Sequence, residues 1–162
     1  MQGDKEVLKN LQEALKAELT AISQYFLHSK MCENWGYLRL GAYYRKESIE
    51  EMVHAEKLMD RMLLLDGAPN MVDLGPINVG KNAKAMFESD LALEMHASKH
   101  LNGAIKTATN AGDNASRALF EEILADEEEH IDYLEGQLHA IDEIGLSNFL
   151  AQQLNKGEDD EK

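Results

Sequence analysis

Two Glu-x-x-His units, Glu51 to His54 and Glu127 to His130, lie 76 residues apart, and two further glutamates, Glu18 and Glu94, are separated by the same 76. One such unit carries little in a chain with 19 Glu and 6 His, but matched pairs at one offset constrain the fold. A Glu and a His three residues apart share a face only on a helix. One Glu on each of two helices, with Glu-x-x-His on each of two others, is the ligand pattern of dinuclear carboxylate sites built into four-helix bundles.

Composition agrees with a single helical domain, since 162 residues with 44% hydrophobic content suffice for one core and there are only 2 Pro and 11 Gly. A net charge of −14 would be repelled by phosphates, so neither nucleic acid nor an anionic membrane surface is an expected partner. The start, Met1-Gln2-Gly3-Asp4-Lys5-Glu6, is charged and leads into an amphipathic stretch. Neither a signal peptide nor a transmembrane span is therefore expected. Cys32 is alone and has no intramolecular disulfide partner, which points to a reducing cytoplasm.

Breaks and caps predict four long helices. The first spans residues 5 to 34, with Asp4 as N-cap and Asn34-Trp35-Gly36 as stop; the second spans 37 to 65, ending at Asp66-Gly67-Ala68-Pro69. The third spans 82 to 110, and Gly112-Asp113 recaps the chain for a fourth at 114 to 144. A short fifth helix at 147 to 155, capped by Ser147, closes a domain of residues 1–155; the acidic tail 156–162 is expected to be disordered. Short turns make the first and second helices antiparallel, and likewise the third and fourth. The 66–81 connection can reach about 50 Å, against about 44 Å for the second helix. It can therefore cross the bundle lengthwise and leave helices two and three parallel, an all-α, ferritin-like four-helix arrangement with one crossover.

The six candidates sit where such a bundle should be dry. Leu8, Leu11, Leu15, Ile22 and Tyr25 form an apolar seam that Glu18 interrupts; Leu40, Tyr44, Leu58, Met62 and Leu65 flank Glu51 and His54. Phe87, Leu91, Leu101 and Ile105 flank Glu94, while Phe120, Leu124, Leu134, Leu138 and Ile141 flank Glu127 and His130. Counted from the helix starts, the glutamates fall 13, 14, 12 and 13 residues in, so antiparallel packing brings them to one level. Four carboxylates there would have to take up protons unless cations joined them. Two divalent ions balance them, with His54 and His130 completing a set suited to Fe(II) or Mn(II). Glu50 and Asp126, each four residues before a ligand histidine, are candidates to orient the imidazoles. Glu47 shares the face of Glu51 and reads as an exposed acid or a metal guide. Tyr25, one heptad beyond Glu18, reads equally as a core residue or a redox-active neighbour. Glu121, Glu122, Glu128 and Glu129 read as a solvated face, and His96 and His100 as surface residues.

Four stretches give the chain a resemblance to the bacterioferritins from Met1 to about Leu154: Gln24-Tyr25-Phe26-Leu27-His28, Glu47 through Ala55, Ser89-Asp90-Leu91-Ala92-Leu93-Glu94, and Asp126 through Asp132. The resemblance implies a 24-subunit octahedral cage built from two-fold dimers. Such a cage takes up Fe(II), oxidises it with O2 or H2O2 at an intrasubunit di-iron site, and stores ferric mineral. It implies that Glu51 and Glu127 bridge the irons, with Glu18 and His54 on one and Glu94 and His130 on the other. It implies, too, haem b shared between two subunits, with Met52 as the matching axial ligand and Leu19, Ile22, Ser23, Phe26 and Ile49 as its wall. Met52 lies roughly 160° around the helix from His54. Lys46 stands where some members have a histidine serving an extra iron site, and a cation there argues against that site. A small ferredoxin reduces the mineral in some relatives. The alternatives are a rubrerythrin-like or dimanganese soluble redox enzyme, for which a rubredoxin-type Cys pair is missing, and a haem-binding cage subunit with an inactive dinuclear site.

Overall fold

A computed structural model describes residues 1–155, and within them the chain is helical with no strand: α1 (Lys5–Asn34), α2 (Leu38–Leu64), α3 (Ala83–Asn110), α4 (Asn114–Ile144) and α5 (Leu146–Ala151). The expected disorder of 156–162 lies outside the described residues. Helix starts follow local chemistry. The Asp4 carboxylate accepts from the Glu6 and Val7 N–H groups, Asn82 from Ala85, and Asp113 from Ser116, each satisfying a first-turn donor that has no intrahelical partner. The α1 stop is Gly36 at φ 84°, a conformation that a Cβ disfavours. At the end of the chain the expectation needs correction. α5 stops at Ala151 rather than 155, and Gly145, at φ 82°, occupies its N-cap, so Ser147 lies inside the helix.

α1 packs chiefly on α2, and α3 on α4, with further contact between α1 and α3. The crossover runs along α1, fastened by side chains spaced down that helix. Gln12 exchanges bonds with the Asn70 backbone at 3.0 and 2.8 Å; Gly75 N–H donates to Thr20 Oγ1 at 2.9 Å and Asn78 N–H to Gln24 Oε1 at 3.0 Å. Gly80 N–H then donates to His28 Nε2 at 3.2 Å. From Gln12 to His28 the strap follows about 24 Å of helix. Gly80 cannot be replaced cheaply, because an added Cβ would stand 2.2 Å from Met86 N as the chain turns into α3.

The core is divided in two. One cluster holds Val7, Leu11, Leu15, Leu58, Met62, Leu101, Phe120 and Ile123; the other holds Tyr25, Leu40, Tyr44, Met86, Phe87, Leu134 and Ile141. Along α1 and α4 the first cluster precedes the second, and along α2 and α3 the order reverses. That order makes α2 parallel to α3, as the crossover requires. On α4, Ile123 rather than its neighbour Leu124 is fully buried, and Leu8, Ile22, Leu91, Ile105 and Leu138 are half-buried at the seam edges. Full burial of each large apolar side chain contributes about 1.5–3 kcal/mol, enough for the two clusters to hold a polar layer between them.

Candidate metal centre

That layer contains Glu18, Glu51, His54, Glu94, Glu127 and His130, all buried. All six expected ligands are brought together. One ligand atom from each of Glu18, Glu51, His54 and Glu127 lies within 4.8 Å of the others, and Glu51, Glu94, Glu127 and His130 form a second such group. Glu51 and Glu127 belong to both, so the groups adjoin and two cations would share these carboxylates.

Both imidazoles turn Nδ1 inward. His54 Nδ1 is 3.1 Å from Glu51 Oε2, 3.3 Å from Glu127 Oε1 and 3.6 Å from Glu18 Oε2; His130 Nδ1 is 3.0 Å from Glu51 Oε1. Even so, Glu51 Oε1, Glu94 Oε1, Glu127 Oε1 and His130 Nδ1 are buried with no hydrogen bond of proper geometry. Buried polar atoms left this way are costly, and convergent ones that miss each other's lone pairs suit cations between them.

The outward nitrogens are oriented by carboxylates, but crosswise. His54 Nε2 meets Asp126 Oδ2 of α4 at 3.0 Å, while His130 Nε2 faces Glu47 at 2.9 Å and Glu50 at 3.5 Å, both on α2. Each histidine is thus held by the opposite helix, not by the acid four residues before it. Glu47 is buried rather than exposed, since α4 carries His130 over it. A third group, Glu47, Glu50 and His130, lies on the outer side of that ring. A cavity of about 600 Å³ leads there, lined by Tyr43, Lys46, Glu47, Glu50, Val53, Lys57, Asp126, Glu129 and Tyr133 with both histidines. Lys46 pairs with Glu50 at 3.4 Å on its rim.

Charge inside the layer is settled by protons. Burial raises Glu18 and Glu94 well above the usual carboxyl range, with Glu51 and Glu127 respectively adding to it. Glu51 and Glu127 move the other way: burial opposes ionisation, yet the close Glu18 and Glu94 carboxyls and the two imidazoles beside them hold them low. Burial would discharge both imidazoles, but the Glu127 carboxylate and its neighbours packed against them outweigh it and raise them.

A second buried polar cluster, missed in the sequence, centres on Asp90. It accepts from Gln24 Nε2 at 2.6 Å and Tyr44 OH at 2.7 Å and lies 3.2 Å from His28 Nδ1. Gln24, His28 and Asp90 were in plain view within the recognised stretches; their convergence depends on α1 meeting α3 and on the crossover's path. Tyr25 is buried in the core, 6.1 Å from the Tyr44 ring. His96 is exposed, and His100 is half-buried with Nε2 3.2 Å from Asn10 O. Glu121, Glu122, Glu128 and Glu129 are exposed as expected.

Met52 is 49% exposed, outside the bundle. It borders a recess of about 280 Å³ with Ile22, Ser23, Phe26, Arg45, Ser48 and Ile49; Leu19 packs inward instead. No described helix is long and apolar enough to cross a membrane.

Residues 8–144 match the Ferritin-like domain family. The chain is 49% identical over 156 residues to Bacterioferritin BfrA of Mycobacterium tuberculosis, covering 96% of this chain and 98% of the relative. It is similarly 47% identical over 160 residues to the Bacterioferritin of Streptomyces coelicolor, covering 99% and 96%. Against the Bacterioferritin of Brucella melitensis it is 42% identical over 161 residues, covering 99% of each.

Proposed function

This chain belongs to the bacterioferritin family, and on that premise we propose that it is a ferroxidase and iron-storage subunit. It takes Fe(II) as substrate, passes its electrons to O2 or H2O2, and stores the ferric product. The observation that carries this reading is the pair of adjoining carboxylate–imidazole groups that share Glu51 and Glu127. In it, Glu51 and Glu127 hold both irons, Glu18 and His54 hold one, and Glu94 and His130 hold the other. Asp126 keeps the His54 proton on Nε2 and so frees Nδ1 for metal; the charges of Glu47 and Glu50 beside Nε2 favour the same tautomer in His130. The apolar clusters on either side keep water out except through the cavity at Glu47 and His130.

The exposed Met52 thioether and its apolar recess suit one half of a haem b site; with a second copy across a two-fold axis, Met52 of each chain would hold the haem. Haem bound this way would serve electron transfer. A 24-subunit cage, a cytoplasmic location and a small ferredoxin as reductant complete the proposal on family grounds. The rubrerythrin-like alternative would need a second, thiolate-bound iron, and Cys32 is the sole cysteine.

Rapid mixing of anaerobically Fe(II)-loaded protein with oxygen tests the reading. Glu127→Ala and His130→Ala should each abolish the fast phase while the cage still assembles, because carboxylates this buried are costly without metal. An unchanged fast phase in both variants would refute the assignment.

A further inference from the structure

One buried carboxylate outside the metal layer, Asp90, precedes Glu94 by four residues, about 6 Å along α3. Its Oδ1 accepts from Gln24 Nε2 at 2.6 Å and its Oδ2 from Tyr44 OH at 2.7 Å, while His28 Nδ1 stands 3.2 Å from Oδ1. His28 Nε2 accepts from Gly80 N–H, which assigns the imidazole proton to Nδ1 and makes His28 the third donor. All four side chains are buried. A carboxylate is costly to bury, and donors on several sides offset that cost and fix its position.

The donors come from α1 and α2, so Asp90 joins three helices at one point. Gln24 lies six residues beyond Glu18, about 9 Å, and Tyr44 seven residues before Glu51, about 10 Å. With α1 antiparallel to the parallel pair α2 and α3, all three positions fall on the same side of the metal layer. The bond from Tyr44 spans the diagonal between α2 and α3, helices that each pack chiefly on another partner. On the far side of the layer the cluster from Val7 to Ile123 is apolar. Apolar contact is non-directional and lets helices shift along one another, whereas directed hydrogen bonds resist it. Glu94 is the ligand most dependent on helix position. It is the sole proposed ligand on α3, its Oε1 is buried without a hydrogen bond, and it stands 3.9 Å from His130 Nδ1, against 3.0 Å for Glu51 Oε1.

We propose that Asp90 is a positioning residue for iron: by tying α3 to α1 and α2 one turn from Glu94, it sets where the Glu94 carboxylate stands and so how tightly the Glu94–His130 iron is held. This rests on the ferroxidase reading. The Glu18–His54 iron takes its unshared ligands from α1 and α2, which pack directly on each other, and does not depend on the clamp. Loss of the clamp therefore separates the two sites, whereas a general loss of stability weakens both.

Anaerobic Fe(II) titration of the whole assembly in paired backgrounds tests it. Glu18→Ala should leave the Glu94–His130 group as the remaining site, and Glu94→Ala the Glu18–His54 group. Asp90→Asn keeps the shape of the side chain but turns an amide N–H toward the donors around it. Added to Glu18→Ala, it should weaken Fe(II) binding about tenfold, at the low end of the roughly 10–100-fold cost of losing a group that supports a ligand. Added to Glu94→Ala, it should change nothing. Tyr44→Phe removes one donor and keeps the ring in place; it should show the same split in smaller measure, and it decides the matter if Asp90→Asn does not assemble. Equal weakening in both backgrounds would make Asp90 a structural residue only, and no weakening in either would mean that α3 is positioned without it; each outcome overturns the proposal. A wild type that binds fewer than two Fe(II) per chain would instead remove the di-iron reading on which it rests.

Discussion

Loading the metal-free protein with Fe(II) in the absence of oxygen should expel protons in a number set by the centre. Before metal, the upward shifts of Glu18, Glu94 and both imidazoles favour their protonated forms, and the downward shifts of Glu51 and Glu127 favour ionisation, which sets the expected count. With those forms two positive and two negative charges cancel, and the six groups would carry four exchangeable protons in excess of the metal-bound form. Two Fe(II) bring four positive charges to four carboxylates and neutral imidazoles, so the layer is neutral before and after, and all four protons leave. Each proton is worth about 1.4 kcal/mol per pH unit, so release of four should strengthen binding of the pair by about 5.5 kcal/mol for each unit of rising pH near neutrality. A pH-stat titration with Fe(II) measures the release directly, and its plateau should coincide with filling of the second site. Release of about two protons would show that only the imidazoles are charged. Release near zero at neutral pH would refute this charge balance.

Without metal, the histidine protons also govern stability. Their raised pKa values mean that above about pH 6.5 the native state binds protons the unfolded chain has lost, so stability falls as pH rises. Raised Glu18 and Glu94 act in the same direction from about pH 4.5 upward, whereas lowered Glu51 and Glu127 cost stability only on acidification below that range. Thermal unfolding of metal-free protein should therefore come at lower temperature near pH 8 than near pH 6, an order that metal loading should remove; the same order with metal bound would contradict it. Asp126→Asn weakens the hold on His54 Nε2 and should reduce Fe(II) affinity about 10–100-fold by anaerobic titration, with the fold intact by circular dichroism. Met52→Leu keeps bulk and apolarity, so the assembly and its iron oxidation should persist while the haem Soret band is lost; equal haem content would sink the axial-ligand assignment. Gly80→Ala drives a Cβ into the Met86 backbone and should destabilise by about 1–3 kcal/mol in denaturant unfolding.

Helix boundaries were legible because the signals are local: Asp4 and Asp113 act on N–H groups two or three residues away, and Gly36 ends α1 by its own φ. The six inward residues were legible too, since spacing along one helix gives the face and distance from the helix start gives the level. What spacing does not give is how far one helix reaches over its neighbour. Glu47 has the spacing of a rim acid, and only the position of α4 turns it into a buried partner of His130. The same offset exchanges the partners of Glu50 and Asp126. The Asp90 cluster needs α1, α2 and α3 together with the crossover, four segments with no shared local pattern. The end of α5 escaped because Asn155 and its predecessors carry no strong stop signal of their own.

One chain is expected to hold two metal ions between shared carboxylates. Anaerobic Fe(II) titration of the metal-free assembly, followed calorimetrically at neutral pH, measures this most directly. Two tight sites per chain are expected in wild type, because Glu18, Glu51, His54 and Glu127 complete one group and Glu51, Glu94, Glu127 and His130 the other. Glu18→Ala should leave one of them and Glu127→Ala should weaken both. A single tight site per chain in wild type, or none, would contradict the shared-carboxylate centre.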